Sequence, residues 1–309
     1  MAARPRGLRR CGGLSWLLAG GLAIVASGPA AARPPAEHRA EIEKWRARRL
    51  ESLRKEDGWL SLVGLFWLEH GENRVGSDPS NRVVLPDGKA PRLLCWIDLA
   101  GERASVRVAP GGRVTHEGKP IHRLALSSDA DGGPTVLRHG TLRFFLIRRG
   151  PRLGVRVKDS ESEARRNFRG IESFPVDPAW RVAARFEPYD PPRPIAVPNV
   201  LGSPTSEISP GAVVFRAMGR THRLDAVTET GSEELFLIFG DRTNGEETYG
   251  GGRFLYAPRP DASGRVVVDF NKAYNPPCVF TPYATCPLPP PQNKLPIRIE
   301  AGEKTYGEH

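Results

Sequence analysis

The sequence is short of the patterns that announce a reaction. No G-x-S-x-G turn occurs, which removes the strand-to-helix nucleophile elbow, and no glycine-rich run ends in Gly-Lys-Ser/Thr, which removes an NTPase phosphate loop. The seven histidines, His38, His70, His116, His122, His139, His222 and His309, are scattered without ligand spacing. A zinc centre or a serine triad therefore has no framework, and each histidine reads as an ordinary surface or strand residue. No metal and no cofactor is expected. Helical patterning is confined to one stretch, internal repeats are absent, and the basic excess is too small and too dispersed for a nucleic-acid footprint. Cysteine is scarce at four residues, and the longest apolar run, Leu14 to Ala26, is too short to span a bilayer comfortably.

What is present begins with a processing signal. Arg4, Arg6, Arg9 and Arg10 form a basic head, followed by the apolar run and the small residues Ala30-Ala31-Ala32. Residues 1–32 are read as a signal peptide, with an uncleaved anchor as the alternative. The mature protein would be periplasmic or extracellular, with no stable membrane span after cleavage. Removing four arginines lowers the formal charge from +10 to +6, or 41 basic against 35 acidic residues.

Thirty-three glycines and thirty prolines beside a single helical stretch point to an all-β chain with many turns. Residues 33–72 are read as a helix and a strand pair. Ile42, Trp45, Leu50 and Leu53 recur at helical spacing, Asp57-Gly58 ends the helix, and Trp59, Phe66 and Trp67 follow in an apolar run suited to a core. Residues 73–159 carry short strands separated by turns at Asp87-Gly88, Ala100-Gly101, Gly111-Gly112, Glu117-Gly118 and Arg149-Gly150, a β-sandwich spacing. Residues 160–180 form a polar, basic connector. From Trp180 strands recur at short intervals, which predicts for 181–309 a meander closing into a small barrel, with an open sandwich as the alternative. If the strands at 248–256 and 264–270 are hairpin partners, Arg253 would meet Asp269 across the ladder, either as a structural clasp or, at a barrel mouth, as a binding site.

The stretch from Asp269 to Lys304 organises the rest. Eight prolines forbid a helix from Pro276 to Pro291 and remove backbone donors, while Phe270, Tyr274, Phe280, Tyr283 and Leu288 anchor it. It is expected to act as a rigid lid, residues 271–294, over the barrel mouth. Beneath it Arg253, Asp269, Asn271, Lys272, Tyr274 and Asn275 would bind a small polar or anionic ligand. Asp241 and Asp269 are the candidate acid and base of an alternative envelope hydrolase, which needs two carboxylates about 5 to 9.5 Å apart. A third alternative is a structural interaction module. The run FGDRTNGEETYGGGRFL offers either backbone donors to an anion or simply a hairpin turn with a glycine bulge. Export into an oxidising compartment makes Cys278 and Cys286 candidates for a disulfide contributing about 2 to 3 kcal/mol. The alternative is a reactive thiol at Cys278, and Cys95 reads as a buried core thiol.

Two resemblances add to this reading. The order of RVGSDPSNRVVLP, VTHEGKPI and VLRHGTLRFFLIRRG is similar to that of a forkhead-associated sandwich. The phosphothreonine-reading arginine of that fold is replaced by Ser77, and Ala90-Pro91 stands in the next loop, so phosphopeptide binding loses its main attraction. The phrases DGWLSLVGLFWLEHGENRVGSDPSN, DRTNGEETYGGGRFL and DFNKAYNPPCVFTPYATCPLPPPQNKLPIRIEAGEK closely resemble the bacterial and archaeal family of domain of unknown function 1684. That resemblance implies no activity; it marks the residues of those phrases as the best candidates for whatever the family does.

Overall fold

The computed structural model describes residues 35–229 and 231–307. The signal segment expected at 1–32 lies outside them. Pro35 to His309 constitute one compact unit. Helix α1 spans Pro35–Arg54 and buries His38, Ile42 and Leu53, with Trp45, Arg49 and Leu50 half-buried along the same face.

The first half is a two-layer β structure. Strands β1 (Leu62–Trp67), β2 (Gly71–Gly76), β3 (Val83–Val84), β4 (Cys95–Ala100), β5 (Arg103–Val108), β6 (Thr115–His116), β7 (Lys119–Pro120), β8 (Arg123–Leu126), β9 (Leu137–His139), β10 (Leu142–Arg149) and β11 (Arg152–Asp159) follow in order. They form a six-stranded sheet, β1-β11-β10-β9-β6-β7, and a five-stranded sheet, β3-β2-β4-β5-β8. Val75, Ile97 and Val106 of the second sheet pack against Phe144, Leu146, Val155 and Val157 of the first. Alternation delivers these side chains to one face, and their burial drives the layers together at about 25 cal/mol per Å² of apolar surface. Gly150 turns β10 into β11 at φ 56°, a left-handed position that suits glycine.

After a short helix α2 (Glu163–Arg166), the second half holds β12 (Arg181–Val197), β13 (Thr205–Ala217), β14 (Arg220–Asp225), β15 (Glu234–Phe239), β16 (Arg253–Pro258) and β17 (Arg265–Asp269). These form a four-stranded sheet, β14-β13-β12-β17, and a separate hairpin, β15-β16. The barrel does not close, so the open arrangement is the one adopted. The expected strands at 181–188 and 194–200 are one long strand whose pairing with β13 breaks between Pro188 and Arg193, where prolines cannot supply ladder donors. The expected strand at 295–301 is irregular. The carbonyls of Ile299 and Ala301 accept from the Arg253 side chain, and Ile297 accepts from the Arg242 amide.

The tail from Phe270 onward is no lid. Phe270, Ala273, Leu295, Ile299 and Ala301 fill the space between the four-stranded sheet and the hairpin, against Phe215, Phe239 and Leu255. With no barrel there is no mouth to cover; beneath the tail lie this apolar core and the buried Arg253–Asp241 pair, and a cavity of about 390 Å³ remains between Leu288–Pro289, Lys294–Pro296 and the glycine run. Asn293 binds the tail to two strands. Its Oδ1 accepts from the Asp225 amide at 2.8 Å, and its Nδ2 donates to the carbonyls of Asp225 and Ile238, both at 2.9 Å. Proline removes ladder donors, and the asparagine side chain replaces them. Helix α1 also docks on this half: Arg49 donates to Glu303 at 3.1 Å and to the Asn275 carbonyl at 2.9 Å.

Candidate functional site

Strand β17 runs antiparallel to β12 in a register that places Asp269 opposite Arg181. The single helical turn that follows, Phe270–Lys272, is capped by Asp269, whose Oδ1 accepts from the Asn271 amide at 3.1 Å and from Asn271 Nδ2 at 2.9 Å. That turn sends Phe270 into the core and Lys272 outward, beneath the first turns of α1.

Charges of alternating sign then link three elements. His38 Nε2 lies 2.7 Å from Asp269 Oδ2, and Arg181 approaches the same oxygen at 3.6 Å and Glu41 at 3.4 Å. Lys272 Nζ donates to Glu41 at 2.7 Å. His38 is buried, and its Nδ1 has no hydrogen-bond partner. Sequence reading passed over His38 as an ordinary histidine, because the partner that gives it meaning lies 231 residues away.

A cavity of about 410 Å³ opens beside this network. Asp269, Lys272 and Tyr274 line it from the tail, Glu41, Trp45 and Arg48 from α1, and Arg181, Glu234 and Tyr256 from the sheets. Tyr274 and Tyr256 stack with centroids 6.1 Å apart and planes 15° from parallel, and Trp45 stands 6.3 Å from Tyr274. Arg49 covers Tyr274 at 4.7 Å. Burial pushes both phenols up, for Tyr256 with help from its hydrogen bond to Glu229, so both stay protonated donors near neutrality. A larger hollow of about 850 Å³ adjoins the cavity and shares Glu234 and Tyr256, but none of the sequence-predicted residues lines it.

Of the predicted ligand-binding residues, Asp269, Lys272 and Tyr274 therefore converge, and three do not. Asn271 is wholly buried, its amide exchanging hydrogen bonds at 2.9 Å with the backbone of Asp177. Asn275 is wholly buried and donates to the Lys304 carbonyl at 2.6 Å. Arg253 lies in the core and does not meet Asp269. Strand β16 pairs with β15, not with β17, so Arg253 stands opposite Phe239 and its Nη2 reaches Asp241 Oδ2 at 2.6 Å, both side chains fully buried. Asp241 Oδ1 accepts from the Thr243 amide and hydroxyl at 2.8 and 2.7 Å and from the Ile299 amide at 3.2 Å. With its side chain buried and both oxygens bonded, Asp241 is a clasp at the edge of a cavity of about 390 Å³.

The glycine run closes the same turn. Gly252 has φ 85°, and a Cβ there would fall 2.3 Å from Pro289 Cγ, so the glycine admits the tail. The expected Cys278–Cys286 disulfide is not formed: both are free thiols, with the Cys278 amide donating to Cys286 Sγ at 3.1 Å. Cys95 is a buried thiol on β4. Among the described residues no cluster of His, Cys, Asp and Glu could hold a metal ion, and no helix is long and apolar enough to cross a membrane.

Comparison with known proteins gives a family and no activity. The family model described as protein of unknown function, DUF1684, matches residues 166–304. A solution NMR structure of an uncharacterized protein of Haloarcula marismortui is 32% identical, with 47% of this chain and 81% of that one covered and a TM-score of 0.39. The chain belongs to the DUF1684 family. The matched segment leaves out the DGWLSLVGLFWLEHGENRVGSDPSN phrase. The solved structures that match also include forkhead-associated domains. One is FhaA bound to the intracellular domain of another protein, at 20% identity, 30% and 97% coverage and TM-score 0.22. Another was solved in a study of phosphothreonine-dependent interactions, at 21% identity, 30% and 92% coverage and TM-score 0.21. No curated protein matches.

Proposed function

We propose that the cavity between α1 and the Tyr256–Tyr274 pair binds a small polar ligand bearing an anionic group. The observation that carries this is the convergence of Asp269, Lys272 and Tyr274 with Trp45, Arg48 and Arg181 on one cavity, from segments far apart in sequence. The stacked tyrosines supply a flat wall and Arg48 a cation, while Arg181 and Lys272, bridged by Glu41, stand beside the Asp269 carboxylate held in place by His38. Export of the mature chain remains part of the proposal, and the mass of the protein isolated from its host tests it.

Thermal-shift titration with galacturonate as the anionic probe and glucose as the neutral one tests the binding. Galacturonate should raise the melting temperature of the wild type, glucose less, and Lys272→Ala and Tyr274→Leu should abolish the shift while remaining folded. A shift that survives in both variants refutes the assignment.

The acid–base alternative now rests on Asp269 alone. Both its oxygens already accept protein hydrogen bonds, which suits a positioned carboxylate better than a proton carrier.

A further inference from the structure

The glycine run and the proline tail enclose a cavity whose two walls differ in chemistry. It holds about 390 Å³, within the range of about 300 to 1,000 Å³ usual for small-molecule sites. On the tail wall, Pro198, Pro289 and Pro296 carry no amide hydrogen. The amides of Leu288 and Leu295 are already spent, donating to the carbonyls of Pro198 and Gly240, both at 2.7 Å. This wall therefore presents hydrocarbon without backbone donors. A ligand lying against it must be apolar there, and a peptide strand finds no row of free amides with which to pair.

The rest of the lining has the opposite character. Gly250 and Gly251 face each other's neighbours with no side chain of their own, and among the described residues their amides make no hydrogen bond. Two successive unpaired N–H groups are the backbone's ordinary means of holding an anion. Arg242 and Lys294 also line the cavity, and among the described residues neither side chain pairs with a carboxylate. The carboxylates close to them in sequence are taken. Asp241 is balanced by Arg253 at 2.6 Å, and Arg298 engages Glu246 at 2.7 Å, Glu300 at 3.1 Å and Glu247. Two cations and two free amides thus stand beside a donorless apolar wall.

We propose that this cavity is a second binding site, for a small amphipathic carboxylate. The carboxylate head is held by Arg242, Lys294 and the Gly250 and Gly251 amides, and a short apolar body lies against Pro198, Leu288 and Pro289. The site shares no lining residue with the cavity at Asp269, so its fate does not depend on that reading. It also gives the glycine run a ligand, beyond the close approach that Gly252 allows the tail.

The test uses the full chain and titration calorimetry with octanoate as the probe, octanamide as its uncharged match and acetate as the head alone. Octanoate should bind about tenfold or more tighter than either, the factor that one charge-assisted contact or about two buried methylenes represents. Arg242 and Lys294 are exposed, so Arg242→Gln/Lys294→Gln should stay folded. It should weaken octanoate by about tenfold or more and leave octanamide unchanged, while Lys272→Ala should leave octanoate unchanged. In the wild type, octanoate should shift the amide resonances of Gly250 and Gly251, a readout that needs no variant. Octanoate no tighter than octanamide or acetate, undiminished binding in the double variant, unmoved glycine resonances, or tighter binding of a peptide ending in a free leucine carboxylate overturns the proposal.

Discussion

Replacing Asp241 by asparagine removes one charge and almost no volume from the interior beneath the glycine turn, which isolates the electrostatic part of the clasp. In the wild type, Arg253 is wholly buried and is held by Asp241 Oδ2 at 2.6 Å, the Ile299 carbonyl at 2.8 Å and the Ala301 carbonyl. Burial pulls the guanidinium below its ordinary value while Asp241 opposes this, so the pair exists because each charge offsets the desolvation of the other. Breaking a buried pair by losing one partner costs about 3 to 5 kcal/mol. At roughly 2 to 4 °C per kcal/mol for a chain of this size, Asp241→Asn should melt about 10 °C lower than the wild type. Urea denaturation followed by tryptophan fluorescence measures the loss directly as a shift in midpoint. The double variant Asp241→Asn/Arg253→Met should recover part of it, because it removes the stranded cation, and the recovery gives the coupling energy. A single variant within about 1 kcal/mol of the wild type would show that water reaches the pair, and the clasp would have to be abandoned.

Two further variants test the tail and one carboxylate. Asn293→Ala strands the amide and carbonyl of Asp225 and the carbonyl of Ile238, each at about 1 to 3 kcal/mol when buried, so urea denaturation should show a loss of about 3 kcal/mol, and a change under about 1 kcal/mol contradicts the role of Asn293 in binding the tail to the two strands. Burial holds the Glu303 carboxyl above its ordinary 4.5, against the opposing charge of Arg49. A folded value raised above the unfolded one contributes stability below pH 4.5 that is lost as pH rises through the folded value. Wild-type stability should therefore fall in that window relative to Glu303→Gln, and parallel denaturation midpoints for the two proteins from about pH 4 to about pH 7 would refute it.

Local signals determined the class of this protein. Turn residues such as Arg149-Gly150 and Glu117-Gly118, alternating apolar strands and the helical spacing of Ile42, Trp45 and Leu53 were enough for one helix, an N-terminal sandwich and a second β half. Each depends on neighbours within a few residues, which is the range over which backbone sterics and side-chain alternation operate. The same logic picked out Asp269, Lys272 and Tyr274, which lie within six residues of one another. Strand partnership was decided only in three dimensions. Because β16 pairs with β15 and β17 with β12, Arg253 met Asp241 in the core, and Asp269 was left to His38 and Arg181 at the cavity. A carboxylate reads the same in sequence whether it faces water or an arginine; which of the two it meets is settled by which strands share hydrogen bonds, and that choice is made by the packing of the whole chain.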